Sequence, residues 1–320
     1  MSNKLIEWSY MKKCILFLLL IPLAVYGTEY AGEYYNLPSS AITVSSGNSI
    51  FFSDLPVVFA ISPVNITPDE NRFISYNHIS ASGLFNDDNL IFSTGNSSNR
   101  VSFMLKLFHS GGIPITVLPD TTDTIGPNNQ PIVDHYASYN HSNLLLNYSK
   151  AINRHLSVGF NIRADYIGFE NATGFGMGID GGIRYTPDNK FYCALGVKNI
   201  STTVIFWNNG TKDVAYPETQ LSLGYSFHVA GNRLNTYIGL PFHFDNRGTS
   251  DQFHYDSISF DLNAGLDFFI SNIFRLSMGI YQNNPTMGAG FSYKRFMLDY
   301  SFFINNELGA GNIITVSYKF

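Results

Sequence analysis

The chain of 320 residues is short of charge, of cysteine and of long apolar runs. Charged residues make up 13% of it, against about 25% in an ordinary soluble domain. A water-exposed globule of this size would need more. With only Cys14 and Cys193 there is no network of internal disulfides to expect. The longest apolar run covers residues 14–26, too short for the roughly 20 residues of a spanning helix. No Walker or Cys-x-x-Cys motif occurs. Aromatics, in contrast, reach 15% and the mean hydropathy is 0.00, which argues against disorder. A chain apolar on average, yet apolar nowhere for long, interleaves apolar and polar residues.

The apolar run has its own explanation. Lys12-Lys13, the run Ile15–Ile21 and the small residues before Gly27 read as a secretory signal over residues 1–27. Met1 and Met11 are both plausible starts. A short membrane anchor is the lesser alternative, and Cys14 sits too early for a lipoprotein signal. Cleavage after Gly27 removes three cations and one anion, taking the net charge from −5 to −7. An acidic, exported chain with scattered Lys and Arg argues against nucleic acid as a partner.

Beyond about residue 71, alternation dominates. Ile258, Phe260, Leu262, Ala264, Leu266 and Phe268 alternate with Ser259, Asp261, Asn263, Gly265 and Asp267. Period two puts the two sets on opposite faces of a strand, and about 9–11 tilted residues cross a bilayer. The same pattern predicts strands at 71–79, 89–96, 101–109, 142–150, 157–168, 175–186, 190–198, 219–228, 233–245, 257–269, 273–282, 287–294, 296–305 and 311–320. Turn residues separate them, as at Thr186–Asn189, Gly231-Asn232 and Asn283–Pro285. Pro241 inside a strand implies a bulge or an unpaired position.

A soluble sandwich and a membrane barrel both alternate. Here the polar face is Gly, Ser, Asn and a few charges of both signs, which suits a crowded lumen behind a lipid-facing wall. Tyr166, Tyr185, Phe227 and Tyr293 suit interfacial girdles. The expectation is an all-β transmembrane antiparallel barrel of about 14 strands over 71–320, with outer-membrane lipid around it. Residues 28–70 are irregular and contain Pro56 and Pro63. They are expected to form a lumenal plug or, alternatively, a hairpin at 42–52 and 57–61. The proline-rich interval 111–135 reads as a long loop, extracellular or folded into the lumen.

Residues Ile314, Val316, Tyr318 and Phe320 share one face of the last strand. They resemble the C-terminal signal that barrel assembly machinery reads in bacterial outer-membrane proteins. The segment Gly176-Met177-Gly178-Ile179-Asp180-Gly181-Gly182-Ile183-Arg184-Tyr185-Thr186-Pro187, followed by Leu195-Gly196-Val197-Lys198-Asn199, resembles the PorV/PorQ family. So do Leu223-Gly224-Tyr225, Gly288-Ala289-Gly290-Phe291 and Leu298-Asp299-Tyr300. PorV/PorQ proteins are relatives of FadL-type transporters, and PorP/SprF barrels share a similar plan. The resemblance implies a bacterial outer-membrane barrel without enzymatic activity or cofactor, working in protein export or surface attachment with an exported protein cargo. The alternative is a FadL-like transporter of a hydrophobic ligand.

Arg163, Asp165, Asp180, Arg184, Asp261, Asp267, Arg275 and Asp299 are expected on the lumen face, with Lys294 and Lys319, as internal ion pairs. His141 and Ser142 fall on opposite strand faces, so they do not form a catalytic pair. His135, His141 and Asp134 lack the tight spacing of a metal site. His243 pairs most simply with Asp245. Seven Asn-x-Ser/Thr sequons, among them Asn147 and Asn199, read as composition in an Asn-rich chain. The glycines of 174–182 are expected to make room for the plug.

Overall fold

A computed structural model describes residues 32–49, 59–60, 62–64, 66, 72–188, 190–244, 251–256, 258–271, 273–305 and 309–320. The expected signal at 1–27 lies outside them. The strands are β1 (Phe73–Ala81), β2 (Phe85–Gly95), β3 (Asn99–Val117), β4 (Ile132–Ala151), β5 (Leu156–Phe169) and β6 (Ala172–Tyr185). Then follow β7 (Phe191–Lys198), β8 (Thr203–Trp207), β9 (Lys212–Ala215), β10 (Glu218–Val229), β11 (Asn232–His243), β12 (Phe253–Tyr255) and β13 (Ile258–Phe260). The last are β14 (Asn263–Ile270), β15 (Phe274–Tyr281), β16 (Asn284–Tyr293), β17 (Phe296–Asn305) and β18 (Gly309–Lys319).

Fourteen of these form a closed antiparallel barrel, because β18 returns to pair with β1 along its whole length. Closure leaves no wall edge unpaired, the condition for a β structure in lipid. The alternation in sequence becomes inside and outside. On β18, Ile314 and Tyr318 point outward, while Ile313, Thr315 and Ser317 are buried inward. Outward Leu276, Met278 and Ile280 on β15 stay exposed, a lipid-facing pattern. At one end of the barrel the connections are short, such as 96–98, 230–231 and 294–295. At the other end lie 118–131, 199–217 and 244–262. Short turns use the left-handed conformation: Ala230-Gly231 has φ 50° and 80°, the geometry of tight hairpins.

Three departures from the sequence reading have physical causes. The interval 111–135 is mostly strand. β3 and β4 continue past the wall as a two-stranded hairpin, leaving 118–131 as the loop. Pro114 is accommodated there because that part of β3 has no second neighbour. A small hairpin, β8–β9, pairs with the long-loop end of β6, where β7 is too short to reach. The expected strand 257–269 breaks at residues 261–262 into β13 and β14. Pro241 sits at that break: it pairs normally with Gln220 of β10. On its other side β11 changes partner from β14 to β13, so the missing N–H is not needed.

The described part of the N-terminal region lies against the inward wall. Glu33–Asn36 is a 3₁₀ turn and Ala41–Ser45 a short helix, α1, rather than the first strand of a hairpin. Ser40 caps α1, its Oγ accepting from the Thr43 N–H at 3.3 Å.

Candidate functional site: the lumen

On one side of the lumen the wall is floored with glycine. Ser45, Ser46 and Gly47 press on β14–β16. A Cβ at Gly265 would lie 2.1 Å from the Ser46 carbonyl oxygen, one at Gly279 2.4 Å from the Gly47 nitrogen, and one at Gly288 2.5 Å from the Ser45 Cβ. No side chain fits between segment and wall. Hydrogen bonds add direction. The Ala41 N–H donates to Thr315 Oγ1 at 2.8 Å, and Ser46 Oγ donates to Asp267 Oδ1 at 2.7 Å. Asp267 also accepts from Tyr237 and Ser277 and lies 3.7 Å from Arg275, which binds Asp299 at 3.1 Å.

The opposite side, β2–β7, carries long side chains. Arg163 donates to Asp180 at 3.1 Å and Thr203 at 2.9 Å, reaches Asn199, and lies 3.4 Å from Asp165. Its guanidinium stacks 3.7 Å over the Tyr35 ring. Lys106 pairs with Asp87 at 3.1 Å and stands 4.5 Å over the Tyr34 ring. His141 bonds Asp165 at 2.9 Å and stacks on Tyr34 with centroids 3.7 Å apart. Lys106 and Lys198 also donate to the backbone carbonyls of Leu37 and Tyr35. Lower on this side, the Pro63 carbonyl accepts from Asn147 and Ser149, and the Ile66 carbonyl from Arg184.

Between these polar groups runs an apolar row. Ile91, Met104 and Leu145 are buried on the inward faces of β2, β3 and β4 and are direct cross-strand neighbours. They pack into one cluster with Ile42 and Phe59 of the N-terminal region. Tyr34, Leu37, Met104, Lys106, Leu145 and Arg163 border a cavity with room for about one water.

The expected lumen charges divide by location. Arg163, Asp165, Asp180, Arg184, Asp267, Arg275 and Asp299 lie on inward wall positions. Asp261 is buried too, but between β13 and β14 rather than on a wall strand. Lys294 is not lumenal: it lies in the β16–β17 turn, exposed, because the strand ends at Tyr293. Lys319 closes β18 at the short-turn end. His243 binds Asp251, Nδ1 to Oδ2 at 2.7 Å; Asp245 lies outside the described residues. Among the described residues, Gly182 is the one glycine of 174–182 that meets the N-terminal region, at Pro63 and Val64. Gly178 makes room for Arg163 and Thr203, and Gly174 and Gly176 face Ile205. Sequence reading missed Lys106 and His141 as lumen groups. Strand parity with Leu145 and Asn147 would have found His141.

No family model matches the chain, and no curated protein matches it. Solved structures do. The Pseudomonas putida toluene transporter TodX aligns with TM-score 0.57 and 13% identity, over 88% of this chain and 97% of that one. A Pseudomonas aeruginosa FadL homologue aligns with TM-score 0.51 and 10% identity, over 89% and 98%. A TodX deletion mutant, described as a monoaromatic hydrocarbon channel, gives 0.52 and 10%, over 88% and 98%. The chain has the fold of these barrels. The resemblance to PorV/PorQ gains no support from any of these comparisons.

Proposed function

We propose that this chain is an outer-membrane channel for a small hydrophobic molecule, with the N-terminal region 28–70 acting as a lumenal plug through its described residues. The short-turn end then faces the periplasm and the long-loop end the exterior. The observation that carries the reading is the inward apolar row Ile91–Met104–Leu145 beside Phe59. A pore for polar solutes gains nothing from apolar side chains in its lining, whereas a hydrophobic solute needs such surface to leave water. The likeness to TodX and to a FadL homologue supports the same reading. Nothing in the lumen favours the export-partner reading over it, and the protein works as a conduit rather than an enzyme.

The test is ligand-dependent stabilisation of the folded, purified barrel by toluene and by a medium-chain hydrocarbon. A ligand that binds only the folded state raises the unfolding temperature with concentration. Met104→Asp should abolish the rise. If neither ligand shifts the transition, and transport into proteoliposomes equals that of empty vesicles, the reading is wrong.

A further inference from the structure

Exposed charge is divided between the two ends of the barrel. At the short-turn end, Arg72, Lys150, Arg154, Lys190, Lys294 and Arg295 are exposed. Among the described residues the one exposed acid at that end is Asp188, beside Lys190. At the long-loop end Asp120, Asp123, Asp134, Glu170 and Asp256 are exposed, against Lys212 as the single exposed cation among the described residues.

The cations span an arc from β16 through β18 and β1 to β7, and the β10–β11 and β14–β15 turns carry no exposed cation among the described residues. They stand at the start of β1, around the β4–β5 turn, in the β6–β7 turn and in the β16–β17 turn. Exposed aromatics accompany them on the outer face of the same rim: Tyr185, Phe274, Tyr293, Phe296, Tyr318 and Phe320. Lys294 lies 5.2 Å over the ring of Tyr293. Exposed aromatic rings belong at headgroup depth, so these ammonium and guanidinium groups lie at the level of lipid phosphates. Charge spread over an arc this wide fits a surface that surrounds the barrel better than a compact partner that touches one sector.

We propose that this rim is a docking surface for anionic phospholipid headgroups of the leaflet it crosses. The proposal rests on the barrel reading and its orientation, not on the transported molecule. Cations near an anionic surface contribute about 1 kcal/mol each, so one well-engaged residue gives about fivefold preference.

The test uses the full folded chain in phosphatidylcholine bilayers carrying trace spin-labelled phosphatidylglycerol or phosphatidylcholine. The fraction of immobilised label gives the relative association of each lipid with the protein. Phosphatidylglycerol should be preferred at least several-fold, and the preference should shrink as salt is raised. The variant R72Q/K190Q/K294Q/R295Q should bring the ratio close to one. D120N/D123N, at the other end, should leave it unchanged. Equal association in the wild-type protein overturns the proposal, as does a salt-independent ratio. A preference strengthened in D120N/D123N would make net charge the cause, and abolition by millimolar inorganic phosphate would make the rim a free-anion site. Gel mobility that shifts on boiling reports the barrel itself. A protein with that shift and no lipid preference fails here alone; one without it fails the barrel reading.

Discussion

The two sides of the lumen hold the same N-terminal segment by opposite means. Against β14–β16 the wall offers chiefly bare glycine backbone, and Ser45–Gly47 lies directly on Gly265, Gly279 and Gly288, with Asp267 and Thr286 adding hydrogen bonds. Against β2–β7 the wall offers long charged and apolar side chains, and the segment answers with Tyr34, Tyr35 and Phe59. Backbone-to-backbone contact has two fates, seated or displaced, because packed interiors do not deform continuously. Side-chain contacts can exchange partners and rotamers one at a time. On the channel reading proposed above, a solute passing the segment would take its route along β2–β7, where the apolar row lies, with β14–β16 as the fixed anchor.

The largest expected effect is on the charged side. Arg163 is buried among Asp165, Asp180, Asn199 and Thr203. Arg163→Ala leaves two carboxylates without their cation, and breaking such a buried pair costs about 3–5 kcal/mol. Urea unfolding of the barrel in detergent, followed by tryptophan fluorescence or gel mobility, measures it. A loss below about 1 kcal/mol would show that water already screens this side.

The anchor is tested next. Gly265→Ala puts a methyl where the Ser46 carbonyl stands. Overpacking of this kind costs about 1–3 kcal/mol, and here it falls on docking more than on the wall. The expected result is a barrel that still shifts on boiling but whose N-terminal region is cut faster by added protease. Equal cutting of mutant and wild type would remove the distinction between anchor and route.

Tyr34→Leu probes the route with a smaller change. It removes the stack on His141 and the ring under Lys106, together about 0.5–1.5 kcal/mol. Ligand passage should change more than stability does. A stability loss as large as that of Gly265→Ala, with unchanged passage, would place the anchor on both sides.

How much of this was legible in sequence follows from what alternation encodes. Parity along a strand tells inside from outside, so Arg163, Asp165, Asp180 and Asp299 fall on the inward face from period two alone. Parity says nothing about where a strand stops. Lys294 keeps the parity of its strand but belongs to the turn after Tyr293. Likewise Ile258–Phe268 alternates without fault, yet breaks at residues 261–262, because β11 changes partner beside Pro241. That exchange is a property of the neighbouring strand. The glycine floor was visible as glycines on strands, but its purpose depends on a segment more than 200 residues away.

The smallest effect lies outside both sides, on the β3–β4 hairpin beyond the wall, and it calibrates the comparison. His135 there, when protonated, donates from Nδ1 to Asp134 at 2.8 Å and from Nε2 to Glu170 at 2.7 Å, tying the hairpin to the β5–β6 turn. The hydrogen bond to Asp134 first, then that to Glu170, raises its pKa above the ordinary 6.5. A group with a raised folded-state pKa contributes its stability in full below its unfolded pKa and loses it as pH rises through the folded one. The hairpin tie is therefore strongest below about pH 6.5 and weakens above the raised value. Because the site is open to solvent, the change should be local: faster amide exchange in residues 132–138 at pH 8 than at pH 6, after correction for intrinsic rates. Glu170→Gln should reduce that contrast, while the unfolding of the barrel stays where it was. A pH response of the same size in the lumen strands would mean that the hairpin and the Asp165 side of the wall move as one unit.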